Sequence, residues 1–207
     1  MLNPHQKPIE ATVAYELHGN CYLNITNQCT LRCIFCPKFQ KTWEVQGYAL
    51  RMRQEPSVQN MIAAVGDPGR YREVVFCGLG EPTLRLLELL ETAEHLKCAG
   101  ARVRVNTDGL ANLVHGYDVT PLFRGRVDAM SISLNAQDQQ TYARHCRPPS
   151  PEAYSAISDF TRRVKLHVPD VTVTAIDGLP GVDVGACKRI AEELGVSFRR
   201  RVLDAVG

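Results

Sequence analysis

The chain has 207 residues, with 24 Lys and Arg against 22 Asp and Glu and a net charge of +2 at pH 7. That length suits one domain with a sizeable core. The near-balanced charge neither requires nor excludes nucleic acid, and no apolar run is long enough to span a bilayer. Met1 to Lys7 lack the apolar core of a signal peptide. The expectation is a cytoplasmic protein with no membrane partner, whose eight cysteines are metal ligands or buried thiols rather than a disulfide framework.

Residues 1–20 carry two prolines and no clear period, and read as a leader on the outside of a core spanning 21–203. Cys21 to Thr26 alternate as a strand does, with Leu23 and Ile25 on one face and Tyr22, Asn24 and Thr26 on the other. A cysteine-rich loop follows. Pro37 to Pro56 is too long for an idle connection and reads as a lid. Ser57 caps a helix with Val58, Met61, Ile62 and Val65 inward. After a turn at Asp67-Pro68-Gly69, Val74 to Cys77 form a buried strand that ends in Gly78-Leu79-Gly80-Glu81-Pro82. A helix carries Leu86, Leu89, Leu90 and Ala93. Arg102 to Thr107 alternate and stop at the turn pair Asp108-Gly109. Pro121 to Phe123 form a short helix, and Ala129 to Asn135 a fourth strand. Asp138 caps a short helix, and Ser150-Pro151-Glu152 open a longer one through Tyr154, Ile157, Phe160 and Val164. Val171 to Ile176 are the fifth strand. Asp183 caps a helix bearing Cys187, Ala191 and Leu194, and Ser197 to Leu203 are the sixth strand.

Strands alternate with helices, which predicts parallel strands with right-handed crossovers. A closed eightfold barrel takes roughly 250 residues. Six units fill this chain, so the predicted fold is α/β: an incomplete, laterally open (β/α)6 barrel in one domain over 1–207. In such a barrel one face of each strand meets the helices and the other lines the site. The inward set is Asn24, Thr26, Asn106, Ser131, Ser133, Asn135, Thr172 and Thr174. These are neutral hydrogen-bonding groups suited to a zwitterionic, nucleoside-like ligand.

Cys29, Cys33 and Cys36 have the spacing C-x3-C-x2-C. Zinc and ferredoxin sites normally use four ligands. Three thiolates with no evident fourth point to a [4Fe–4S] cluster with one iron open to a small molecule. Part of a zinc site is the alternative. Gly78 and Gly80 at a strand end let the backbone approach a ligand, or simply serve a strand-to-helix turn.

This combination resembles the radical S-adenosylmethionine (SAM) superfamily over residues 21–203. In that superfamily the residue before the third cysteine packs near the adenine; here it is Phe35. Gly78, Gly80, Glu81 and Pro82 resemble its G-G-E-P loop, with Leu79 inserted, and imply contacts to the methionine amino group. Asn106 and Thr107 resemble polar residues at the end of strand three, in the activating enzymes of organic radicals, that meet the same group. Ser133 and Asn135 resemble a ribose and carboxylate element. Thr174 and Ile176 lie where strand five would reach the nucleoside, though the matching glycine-rich motif is imperfect. Val75 to Arg85 and Tyr22 to Asn27 are most similar to the TatD-nuclease-associated radical SAM proteins. That similarity implies a functional link to a TatD-type nuclease but carries over no reaction and no direct nucleic-acid contact. The glycyl-radical-enzyme activases are the alternative subfamily.

The resemblance implies cofactors, a [4Fe–4S] cluster and SAM, and a reaction. Cys29, Cys33 and Cys36 ligate three irons, and an external one-electron donor of flavodoxin or ferredoxin type reduces the cluster. SAM is then cleaved to a 5′-deoxyadenosyl radical that takes a hydrogen atom from an unidentified substrate. Cys21, Cys77 and Cys187 read as core thiols, and Cys98 lies at a helix end. Cys146, near the expected mouth, reads as structural or as a substrate contact. Of Arg199, Arg200 and Arg201 at least one should face the barrel and could meet an anionic substrate, yet a solvated terminus accounts for them more simply. A non-catalytic iron–sulfur electron carrier and a zinc-stabilised nucleic-acid-binding module are the readings outside radical catalysis.

Overall fold

The computed structural model describes residues 12–203. The chain begins with an antiparallel hairpin of β1 (Ala14–Leu17) and β2 (Asn20–Leu23). Its two-residue turn, His18-Gly19, has both φ angles positive, the twist a tight hairpin needs. A second small hairpin, β3 (Glu44–Val45) and β4 (Tyr48–Ala49), lies within the long segment after the cysteines. Then come α1 (Val58–Val65), β5 (Val74–Phe76), α2 (Leu86–Cys98), β6 (Val103–Thr107), α3 (Ala111–His115), β7 (Ala129–Ser133), α4 (Gln139–Cys146), α5 (Ala153–Val164), β8 (Asp170–Asp177), α6 (Val184–Leu194) and β9 (Ser197–Val202).

The main sheet has seven strands in the order β1-β2-β5-β6-β7-β8-β9. All neighbours are parallel except β1 and β2. Among the described residues both edge strands, β1 and β9, stay unpaired on one side, so the sheet is open rather than closed into a barrel. Six parallel strands match the expectation from alternation; the seventh does not. Residues 14–17 are an edge strand of the sheet rather than a leader. Residues 1–11 of the expected leader lie outside the described residues.

One face of every parallel strand feeds a single core. Leu23, Val74, Phe76, Val103, Val105, Met130, Ile132, Val171, Val173 and Ala175 pack with Met61, Leu89, Ala93, Leu96, Ile157, Phe160 and Ala191 of the helices. Cys21 and Cys187 are buried there too, as small apolar residues are. The helices start where expected. Ser57 and Asn60 form a reciprocal capping box, and Asp138 and Asp183 accept from the amides of Thr141 and Ala186. The short helix expected at Pro121 is a single 3-10 turn, Thr120–Phe123. No helix among the described residues is long and apolar enough to cross a membrane.

Candidate active site

The cysteine loop leaves the C-terminal end of β2 and is clamped from two sides. On one side the loop after β5 lies backbone against backbone. The Glu81 amide donates to the Gln28 carbonyl at 2.8 Å, and a Cβ on Gly80 would come within 2.2 Å of the Thr26 carbonyl oxygen and 2.5 Å of that of Gln28. A Cβ on Gly78 would come within 2.2 Å of Asn24 Oδ1. What these glycines admit, among protein atoms, is the neighbouring loop. On the other side Arg32 and Ile34 donate their amides to the carbonyls of Cys146 and His145 at 3.0 and 2.9 Å, satisfying acceptors left over at the end of α4.

Cys29, Cys33 and Cys36 are half-buried at one end of a cavity of about 350 Å³. Phe35, Gly78, Gly80, Glu81, Asn106, Thr107, Ser133, Asn135 and Ile176 line the same cavity. Thr174 does not. It is 1% exposed, although its register partners Ser133 and Arg199 both line the cavity. Asn24 and Thr26 point to that side of the sheet but are covered. Asn24 Nδ2 donates to the carbonyls of Thr12 and Leu50, and the Thr26 hydroxyl donates to Glu55. A larger open groove of about 910 Å³ runs past Glu55, Asn60 and Arg85 on the outer surface and contains no cysteine.

The three thiols are held in their protonated range by their surroundings. Burial, followed by the carboxyls of Glu81 and Asp108, pushes Cys29 up to about 12. A hydrogen bond with the Cys146 thiol, and then burial, raises Cys33, and burial raises Cys36. Iron reverses that balance, because a coordinated thiol is deprotonated outright. No three His, Cys, Asp or Glu side chains among the described residues converge on a single-ion site. A lone tetrahedral zinc needs four ligands, sulfur at about 2.3 Å or nitrogen and oxygen at about 2.0–2.2 Å. A cluster takes one thiolate per iron, and the three cysteines of this loop are the right donors for three of its irons. Cys146 is buried beside Cys33 and accepts from Asn135 Nδ2 at 3.7 Å.

Glu81 is 3% exposed and its carboxylate is filled by its own chain. Oε1 accepts from the Thr83 amide and hydroxyl and from the Thr107 hydroxyl, at 3.0, 2.7 and 2.8 Å. Oε2 accepts from the Asp108 amide at 2.7 Å. Burial still raises its pKa, against the pull of these donors. Asp108, read in the sequence only as a turn residue, lies beside it. Burial and then the Glu81 charge raise its pKa well above the ordinary carboxylate value. Asp108 Oδ2, Asn106 Oδ1 and Asn135 Oδ1 are buried without partners among the described residues. Buried acceptors are almost always bonded; three orphans around one cavity are a template for a donor-rich ligand.

Alternation puts Tyr22 on the inward face and at least one of Arg199 to Arg201 toward the barrel, but does not single out the rest of the lining. Tyr15, Tyr22, Cys77, Arg104, Arg199 and Arg201 all face the cavity. Cys77 is thus a cavity thiol and not the core residue expected. Arg104 shares a strand face with Asn106, a period-two signal that was there to be read. Tyr15 comes from β1 and stacks on Tyr22 at 5.4 Å between ring centroids.

An open parallel half-barrel with three cysteines over a cavity at its C-terminal mouth defines a class: enzymes that place an iron–sulfur cluster beside a bound small molecule. The Radical SAM superfamily matches residues 23–194, and the chain belongs to that superfamily. Over 116 residues the chain is 28% identical to a probable RNA methyltransferase of Sorangium cellulosum, covering 53% of this chain and 28% of that protein. TYW1 with a lysine–pyruvate adduct superposes with a TM-score of 0.62 at 16% identity, over 91% of this chain and 66% of the other. Streptococcus suis SuiB bound to S-adenosylmethionine superposes with a TM-score of 0.64 at 11% identity, over 89% of this chain and 38% of the other. At these identities the likeness to solved structures is one of fold. The chain spans less than two thirds of the length of these relatives. As a member of the superfamily it is an enzyme, and the superfamily's cofactors are a [4Fe–4S] cluster and SAM.

Proposed function

We propose that Cys29, Cys33 and Cys36 hold three irons of the cluster and that SAM occupies the 350 Å³ cavity beside them. The carrying observation is the juxtaposition of that cysteine loop with the orphaned acceptors of Asn106, Asp108 and Asn135. These supply what the ammonium and ribose hydroxyls of SAM require, and Phe35 and Ile176 supply apolar surface for a base. When bound, the cofactors furnish one-electron cleavage of SAM and hydrogen-atom abstraction from a substrate. The chain's own residues orient SAM and exclude water. Since Glu81 is spent on Thr83, Thr107 and the Asp108 amide, its part is to fix the loop whose backbone meets the ligand. A simple electron carrier has no use for such a cavity, and this weighs against that reading.

The finer assignments belong to the same proposal: one domain over 1–207, a cytoplasmic setting, an external flavodoxin- or ferredoxin-type donor, and a TatD-associated role, for which the run Val75 to Arg85 is the support. The similarity to an RNA methyltransferase favours one second reading, a reaction on RNA. Anaerobic reconstitution tests the core of the proposal. About four irons and four sulfides per chain, an EPR spectrum of the reduced cluster that changes on adding SAM, and 5′-deoxyadenosine formation with dithionite are expected. Zinc in place of iron, or no response to SAM, overturns it. Transfer of label from methyl-labelled SAM to RNA would select the second reading.

A further inference from the structure

Arg104 on β6 and Arg199 and Arg201 on β9 face the same cavity as the cysteines. Register explains it: Arg199 and Arg201 pair with Thr174 and Ile176, and Arg104 lies two residues before Asn106 on one strand face. At ~3.3 Å per residue, Arg104 lies about 13 Å before Asp108 along β6. Arg104 therefore lies toward the deep end, below the cysteine mouth, and Arg199 is close enough to Arg104 and Arg201 to feel their charges.

Their charge is poorly matched by the protein. Arg104 Nη2 meets Glu73 at 2.8 Å, but Glu73 also serves Arg102 at 2.9 Å. Among the described residues Arg199 has only the Ser131 hydroxyl, at 3.4 Å. The Nε atoms of Arg104 and Arg199 are buried without partners among the described residues. Arg200, between them, points away to Asp177. The carboxyls that line the cavity, Glu81 and Asp108, stand at the cysteine end. The other titratable groups at the deep end are not counter-ions: burial raises both the Cys77 thiol and the Tyr15 phenol, which keeps them neutral. Burial, then Arg104 and Arg201, make it harder for Arg199 to hold its proton. Unpaired buried charge is costly, and guanidinium forks match carboxylate and phosphate oxygens.

We infer that Arg104, Arg199 and Arg201 bind the oxyanion, carboxylate or phosphate, of a small substrate seated below SAM. This rests on the reading of the upper cavity given above. The cavity would then take SAM at the cysteines and an anionic substrate at the arginines.

The test is the thermal unfolding midpoint of the anaerobically loaded protein, titrated with inorganic phosphate and, separately, with succinate, against chloride at equal ionic strength. One of the two raises the midpoint saturably, and which one does so distinguishes a phosphate from a carboxylate substrate. Arg199→Gln weakens that anion's apparent affinity at least about tenfold, Arg199→Lys recovers part of it, and the SAM-induced EPR change persists in both. Without anion, Arg199→Gln unfolds at or above the wild-type temperature, because an unpaired charge has gone. No response to either anion, equal affinity in the variant, a lower variant midpoint without anion, or loss of the SAM response would each overturn the inference. If the wild type itself carries no iron and ignores SAM, the reading of the upper cavity fails instead, and the same titration on the purified protein still decides the arginines.

Discussion

A methyl group on Gly80 would sit 2.2 Å from the carbonyl oxygen of Thr26. Both are main-chain positions, so neither can swing aside. The loop after β5 and the loop that carries the cysteines are therefore one packed unit, joined also by the bond from the Glu81 amide to the Gln28 carbonyl. Gly80→Ala must push the cysteine loop off its seat. Overpacking of this kind costs about 1–3 kcal/mol, and the cluster site should suffer more than the fold. Iron content after reconstitution should fall several-fold while circular dichroism stays near wild type. Leu87→Ala, at a side chain 77% exposed, is the silent control.

Replacing cysteines separates ligands from neighbours. Cys29→Ala, Cys33→Ala and Cys36→Ala should each reduce iron to background. Cys146→Ala removes the thiol beside Cys33 and the acceptor of Asn135 Nδ2. It should cost about 1 kcal/mol of stability and leave the iron bound. Iron and sulfide assays, with urea unfolding of each variant, check both halves. Loss of iron in Cys146→Ala would make that thiol a ligand.

Asp108 should make the protein less stable as pH rises. Its carboxyl is raised by burial and by Glu81, so between the ordinary carboxylate range near pH 4 and the elevated native value the folded state binds more protons than the unfolded one. Stability therefore falls with increasing pH across that window. Asp108→Asn keeps an oxygen for the Leu110 amide, now bonded to Asp108 Oδ1 at 3.0 Å, and abolishes the charge. Its urea midpoint should exceed wild type at pH 8 and differ little at pH 4.5. A wild-type midpoint that climbs with pH over this range would contradict the assignment.

What could be read from the chain follows the range of the interactions involved. Ser57, Asp138 and Asp183 cap helices through bonds two or three residues away, so their roles are visible locally. The core face is visible too, because Val103 and Val105 or Val171 and Val173 alternate with polar neighbours whatever surrounds them. Ala14 to Leu17 gave no such signal, since that strand exists through pairing with β2 across the His18-Gly19 turn. The consequences reach the site. Asn24 and Thr26 point toward the cavity side, as alternation required, but Thr12, Leu50 and Glu55 cover them. Arg199 and Arg201 read as a solvated terminus until β9 is seated beside β8.

The last prediction concerns the segment expected to act as a lid. Its hairpin β3–β4 is too short to hold itself. It is fixed by Leu50, fully buried against Tyr15 and Leu79 in a small cluster of its own, and by the bond from Asn24 Nδ2 to the Leu50 carbonyl at 2.8 Å. Val45, Gln40 and Pro37 of this segment line the cavity beside Cys36. Leu50→Ala leaves the main core intact and empties this anchor, a change of about 2–5 kcal/mol at buried leucines. Because the anchor is local, part of that loss should appear as opening of the segment rather than as global unfolding. Amide exchange should rise in residues 43–50 and stay unchanged in β6 and β7. The loaded cluster should bleach in air several-fold faster than in wild type, followed by loss of its visible absorbance. Equal bleaching rates alongside faster exchange would mean that the segment opens without guarding the cluster.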